Sequence, residues 1–166
     1  VGAVSEIKTS FEFDAASKRS LFKAFKEMDQ GANQDLKNEV TAISQWMAEK
    51  IKEAANYAPN PDQAKAVATT VRAAKDRLPY IRVGGEKIVT STRARAGDLL
   101  MGSEFGGPSP FANGGRRFFR RSRQMYPRGN AGYWIFPTLR RNHDTLTNKW
   151  HSAIERYVEN PWGRNG

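Results

Sequence analysis

The chain contains no cysteine, which excludes a disulfide framework and any thiolate-based zinc or redox centre. Histidine is nearly absent too: His143 and His151 are the only two. Eight positions apart, they can share a helix face, but two turns of rise separate them too widely to grip one metal ion. No apolar run approaches the roughly 20 residues that span a bilayer, and the opening VGAVSEIKTS lacks the succession of regions that marks a signal peptide. The expectation is a protein made and used in a cytoplasm-like compartment. With 166 residues the chain is long enough to bury a real core in one domain.

Acidic residues thin out along the chain. Residues 1–58 hold 8 Lys or Arg against 9 Asp or Glu, residues 59–115 hold 8 against 5, and residues 116–166 hold 11 against 3, so the net charge of +10 is a C-terminal property. Much of it lies in one acid-free segment, RRFFRRSRQMYPR, at residues 116–128. Its six arginines, Arg116, Arg117, Arg120, Arg121, Arg123 and Arg128, repel one another and call for counter-charge. One reading is nucleic-acid contact, the arginines neutralising phosphates while Phe118, Phe119 and Tyr126 stack on bases. The other is a protein interface, where arginine and aromatic residues supply the anchoring contacts. The adjacent Phe118 and Phe119 favour the interface, because they are unusually apolar for a loop that only touches phosphate.

No constellation carries chemistry convincingly. Ser91, His143 and Asp144 are the residue types of a hydrolase triad, but no Gly-x-Ser-x-Gly elbow surrounds Ser91. The run Gly84-Gly85-Glu86-Lys87 lacks the spacing of a phosphate-binding loop and reads as a turn. Glu104 is the lone acid of its segment, which argues against a divalent-metal nuclease. The chain is expected to bind rather than react, with no cofactor and no metal.

Periodicity predicts a short amphipathic helix over 15–29, on Leu21, Phe22, Phe25 and Met28. A long helix follows, capped by Asn33 and running on Leu36, Val40, Ile43, Met47 and Ile51 to about Tyr57. Ala58-Pro59-Asn60-Pro61 ends it and opens another, with Pro61 in its first turn and Val67, Val71, Ala74 and Leu78 on its stripe. From Pro79 the pattern turns to β: a hairpin of 80–83 with 86–92 about Gly84-Gly85, then a strand over 98–105. A long Gly-, Pro- and Arg-rich segment leads to a short strand, 133–136. Pro137 then opens a final helix with Leu139, Leu146, Trp150, Ile154 and Val158 on one face.

The expected fold is α+β, with N-terminal helices including one long helix, a small antiparallel β-sheet with a long basic loop, and a C-terminal helix packed on the sheet. It forms a single domain, 1–166, with a mobile N-terminal arm over about 1–12 and a long loop insertion over about 107–132.

Three short marks in this order carry a resemblance: Ala58-Pro59-Asn60-Pro61 after a long helix, Ser103-Glu104-Phe105-Gly106, and Ile135-Phe136-Pro137-Thr138-Leu139-Arg140 opening the last helix. Over roughly residues 22–158 the chain resembles the neck, or tail-completion, proteins of long-tailed bacteriophages related to lambda. The resemblance implies a structural virion protein at the head-tail junction, present in the host cytoplasm during assembly. It implies a ring around the DNA channel, a hexamer in preference to a dodecamer, between a connector or head-closure protein and a tail terminator protein. It also implies that Glu104, Phe105 and Gly106 end a sheet strand, and that Phe136, Pro137, Leu139 and Arg140 lock the last strand and helix onto it. The insertion departs from the family, whose corresponding connection is much shorter. A stand-alone basic protein that binds single-stranded nucleic acid is the alternative.

Overall fold

The computed structural model describes residues 6–9, 15–73, 78–106 and 132–159. Their elements are β1 (Glu6–Thr9), α1 (Ala15–Glu27), α2 (Gln30–Ala54), α3 (Pro61–Ala68), β2 (Arg72–Ala73), β3 (Ile81–Gly84), α4 (Ala96–Phe105) and α5 (Ile135–Ile154). A 3₁₀ turn, Ala55–Tyr57, finishes α2, and a π turn, Glu155–Glu159, finishes α5. The α+β architecture is therefore present: helices around a three-stranded antiparallel sheet in the order β1-β3-β2.

The long helix is the spine. Leu36, Val40, Ile43, Met47 and Ile51 recur every three or four residues and are all buried, so one face of α2 runs through the whole core. At its N-terminal half it packs with Phe25 of α1 and with Trp150 and Ala153 of α5. At its C-terminal half Met47, Ala48 and Ile51 join Val67, Ile81, Val83 and Leu100. Trp134 and Ile135 belong to that second cluster with Ile7, Ile81 and Val83, so the start of α5 closes the core beneath the sheet while the rest lies along α2. Leu146 packs against both clusters and joins them.

Two buried hydroxyls dock the central strand. Ser44 Oγ donates to the Val40 carbonyl at 3.0 Å and accepts the Tyr80 N–H at 3.2 Å, just before β3 begins. Thr70 Oγ1 donates to the Val67 carbonyl and accepts the Gly84 N–H at 2.9 Å, where β3 ends. Both ends of the strand are thus fixed by buried hydroxyls that are themselves bonded to helix carbonyls. Between them Ile81 and Val83 face inward and Arg82 outward, the period-2 alternation of a half-buried strand.

Several expectations change. Asp29, rather than Asn33, caps α2, its Oδ1 accepting the Ala32 N–H at 2.9 Å, and Asn33 instead donates to the Phe25 carbonyl at 3.1 Å. Part of the expected N-terminal arm is an edge strand: residues 6–9 pair with β3, Ile7 opposite Val83. The third helix ends at Ala68, where the Thr69 and Thr70 turn leads into β2. The expected hairpin of 80–83 with 86–92 does not form. Its partners are taken by β1 and β2, and residues 86–92 fold back on themselves about Thr90 to Arg93, with Val89 N–H on the Ala94 carbonyl.

Residues 98–105 are helix, not strand. Ala96, Gly97, Leu100, Ser103 and Glu104 are buried at helical spacing, and that period, not the apolar content of DLLMGSEF, decides the element. The segment 133–136 is likewise no strand, because α5 already begins at Ile135.

The two hydroxyl pins are separately testable. Ser44→Ala and Thr70→Val each leave one backbone N–H of the β3 ends without its partner. Each is expected to lower unfolding free energy by about 1–2 kcal/mol in urea titration with an unchanged slope.

Candidate functional site

A helix begins with four backbone N–H groups that have no partner inside it. In α5 these belong to Trp134, Ile135, Phe136 and position 137, and the last is a proline without a donor. The other three point at one side chain from another helix. Glu104 Oε2 accepts from Trp134 N–H at 3.2 Å and Ile135 N–H at 2.9 Å, and Oε1 accepts from Phe136 N–H at 2.9 Å. One carboxylate and one proline therefore account for the whole helix terminus. The positive end of the helix dipole faces the same carboxylate.

Glu104 is fully buried. Burial pushes its carboxyl above the ordinary range, and the N–H groups of Ile135, Phe136, Trp134 and Tyr133 pull against that rise. Two glycines make the approach possible. Gly132 has φ +93°, and a Cβ there would collide with Glu104 Oε1 and lie 2.8 Å from its Cδ. Gly106 ends α4 at φ 66°, ψ −167°, a region open essentially to glycine alone, while its N–H bonds the Gly102 carbonyl at 3.1 Å. Beside the clamp the rings of Phe105 and Phe136 lie 5.7 Å apart at 37°.

Most residues proposed as a fold-locking motif therefore do converge, but not as proposed. Glu104 and Phe105 end a helix rather than a sheet strand, and Gly106 caps it. Phe136 and Pro137 stand in the first turn of α5, with no strand ahead of them. Leu139 is half-buried against the core, whereas Arg140 is exposed and locks nothing. Gly132 was not singled out, and its place directly before an aromatic pair was the available signal. The partner or DNA-channel candidates Arg116, Arg117, Phe118, Phe119, Arg120, Arg121, Arg123, Tyr126 and Arg128 lie outside the described residues. Their segment leaves the described fold after Gly106 and rejoins it at Gly132, both beside Glu104.

The triad residue types do not assemble. His143 and Asp144 are exposed neighbours, 3.1 Å apart on α5, and no hydrogen bond joins either to Ser91 among the described residues. Among those residues there is also no group of three or more acids and histidines placed to hold a metal ion.

Removing the clamp leaves buried donors unpaired. Glu104→Ala is expected to cost about 3–5 kcal/mol and Glu104→Gln, which keeps one acceptor, about 2–3 kcal/mol, by chemical denaturation. Gly132→Ala should cost about 2–4 kcal/mol, less in a Glu104→Ala background where the obstructing carboxyl is gone.

The raised carboxyl also fixes a sign. Stability contributed by this group is full below its unfolded value, about 4.3, and is lost as pH rises through the higher folded value. The advantage of the parent over Glu104→Gln should therefore shrink from acid toward neutral pH. The opposite slope would mean that the four donors and the helix dipole outweigh burial.

Among the described residues no helix is long and apolar enough to cross a membrane. The chain matches no protein-family model, no curated protein and no solved structure.

Proposed function

We propose that the chain is a structural protein of the bacteriophage head-tail junction, a neck or tail-completion subunit that forms a ring around the DNA channel and helps join tail to head. One observation carries this. Two of the three motif segments behind the resemblance, residues 103–106 and 135–140, meet in space, where Glu104 of the first holds the backbone of the second. Motif residues that meet at one structural joint support the reading more strongly than short matches scattered over a surface.

In this role the protein is not an enzyme and needs no cofactor. Its one fully buried acid among the described residues serves as a helix cap. The joint gives the basic segment 107–131 a rigid base from which to reach a neighbouring subunit, a connector or head-closure protein, a tail terminator protein, or the DNA of the channel. A closed head-to-tail ring, hexameric in preference to dodecameric, is how one small chain surrounds such a channel. Its place is then the virion neck, after assembly in the host cytoplasm.

The test is a phage encoding this chain with an early stop codon in its gene, examined by electron microscopy of the lysate. Finished heads lying apart from finished tails are expected, and normal infectious particles would overturn the assignment. Neutralising the six arginines of residues 116–128 should impair joining while leaving the thermal transition of the purified protein in place. If joining is normal and the purified monomer binds single-stranded DNA with a steep salt dependence, the chain is a nucleic-acid-binding protein instead.

A further inference from the structure

The outward face of the sheet carries cations in register. Arg82, at the centre of β3, has Arg72 of β2 directly opposite on one side and Lys8 of β1 as its register partner on the other. Directly opposed residues of an antiparallel pair bring their Cβ atoms to about 4.5–5.5 Å, and like charges so placed destabilise a sheet. Arg72 and Arg82 are both exposed. One acid is close by: Glu6, whose Oε1 lies 3.7 Å from Arg82 Nε.

Arg82 is also held in place. Its Nε donates to the Tyr80 hydroxyl at 2.6 Å, and its guanidinium carbon stands 5.4 Å from the centre of the Tyr80 ring. Tyr80 is itself fixed through its N–H to Ser44 on the spine helix. The two Nη nitrogens of Arg82 have no protein partner among the described residues, and neither has the Arg72 guanidinium. A guanidinium pinned through Nε, with its fork free beside a second arginine, is pre-organised for a tetrahedral oxyanion.

We infer that this face, through Arg72 and Arg82 with Tyr80 as positioning residue, binds the phosphates of a nucleic-acid backbone. Among the described residues no large apolar side chain is exposed on this face, which favours phosphate over an acidic protein surface. The large exposed apolar side chains among the described residues are Phe22, Tyr57, Ile88 and Met101, and none lies on the sheet. A protein contact draws its energy from such anchors, whereas phosphate contact does not need them. The contact reads no sequence, because only backbone charge is engaged. It rests on the sheet alone and not on the neck assignment, although a ring around DNA would turn this face toward the channel.

The experiment measures binding of the full chain to a short fluorescein-labelled DNA duplex by anisotropy across a range of salt concentrations. The parent should bind with log K falling linearly in log salt. Arg72→Gln/Arg82→Gln should bind about tenfold more weakly at low salt, with a slope shallower by roughly 1.8, two phosphates at about 0.9 each. Tyr80→Phe should weaken binding a few-fold with the slope unchanged, since it removes the positioning bond and no charge. Arg72→Gln relieves cross-strand repulsion, so its melting temperature should be unchanged or higher, which separates loss of binding from loss of fold.

Parent affinity and slope in the double variant would overturn the inference, as would a parent that binds polyglutamate but not the duplex. A variant neutral at the six arginines of 116–128 that alone loses DNA binding would overturn the sheet assignment and leave the neck assignment standing. Normal particles from the stop-codon phage, with sheet-dependent DNA binding intact, would do the reverse.

Discussion

The contact between Glu104 and the first turn of α5 is the constraint on which the remaining architecture depends. A carboxylate so deep in the core is costly unless donors surround it, and an N-terminal helix turn in the core is costly unless acceptors do. Each problem solves the other. The solution works only with glycine at 132, where any side chain would occupy the space of the carboxylate, and with glycine at 106 to turn the chain out of α4. Because Trp134 and Ile135 sit directly on this joint and inside the main cluster, the cap also decides where α5 enters the core. From there α5 runs along α2, and the far end is fastened by Arg156, whose Nη1 reaches both Glu39 oxygens at 2.9 and 3.1 Å. That exposed pair contributes little energy by itself. Direction is set by the buried end.

The same joint makes the long basic segment inexpensive to the fold. Closing a loop costs entropy that grows only with the logarithm of its length, about 0.6 kcal/mol for each doubling. With both ends fixed beside Glu104, residues 107–131 can be far longer than a minimal connection without threatening the domain.

The helices were legible because burial and periodicity coincide in them. Leu36, Val40, Ile43, Met47 and Ile51 announce α2, and Asn60 with Pro61 announces the start of α3, where Asn60 Oδ1 accepts the Gln63 N–H. The sheet was far less legible. Its edge strand comes from residues 6–9, a polar stretch in which Ile7 is buried, and the partner lies more than 70 positions away. No local pattern reports a pairing of that range. In α4, β-like apolar content masked a helical stripe, and the element was misread for that reason. Glu104 was assigned to the wrong element, since a tertiary cap joins residues 30 to 32 positions apart and leaves no local trace. The juxtaposition of Arg72 with Arg82 was not legible either, because it arises from register rather than from sequence spacing.

Register also explains why a basic chain can keep charge on its sheet. Opposed arginines on neighbouring strands weaken pairing, yet β3 does not rely on side-chain pairs across its outward face. Ser44 and Thr70 hold its two ends from below, and Ile81 and Val83 bury its inner face. With position secured from the core side, the outer side can carry mutual repulsion that an unsupported hairpin could not sustain. The work of folding is thus assigned to one face and one buried joint, and the paired arginines of the outer face are released from structural duty.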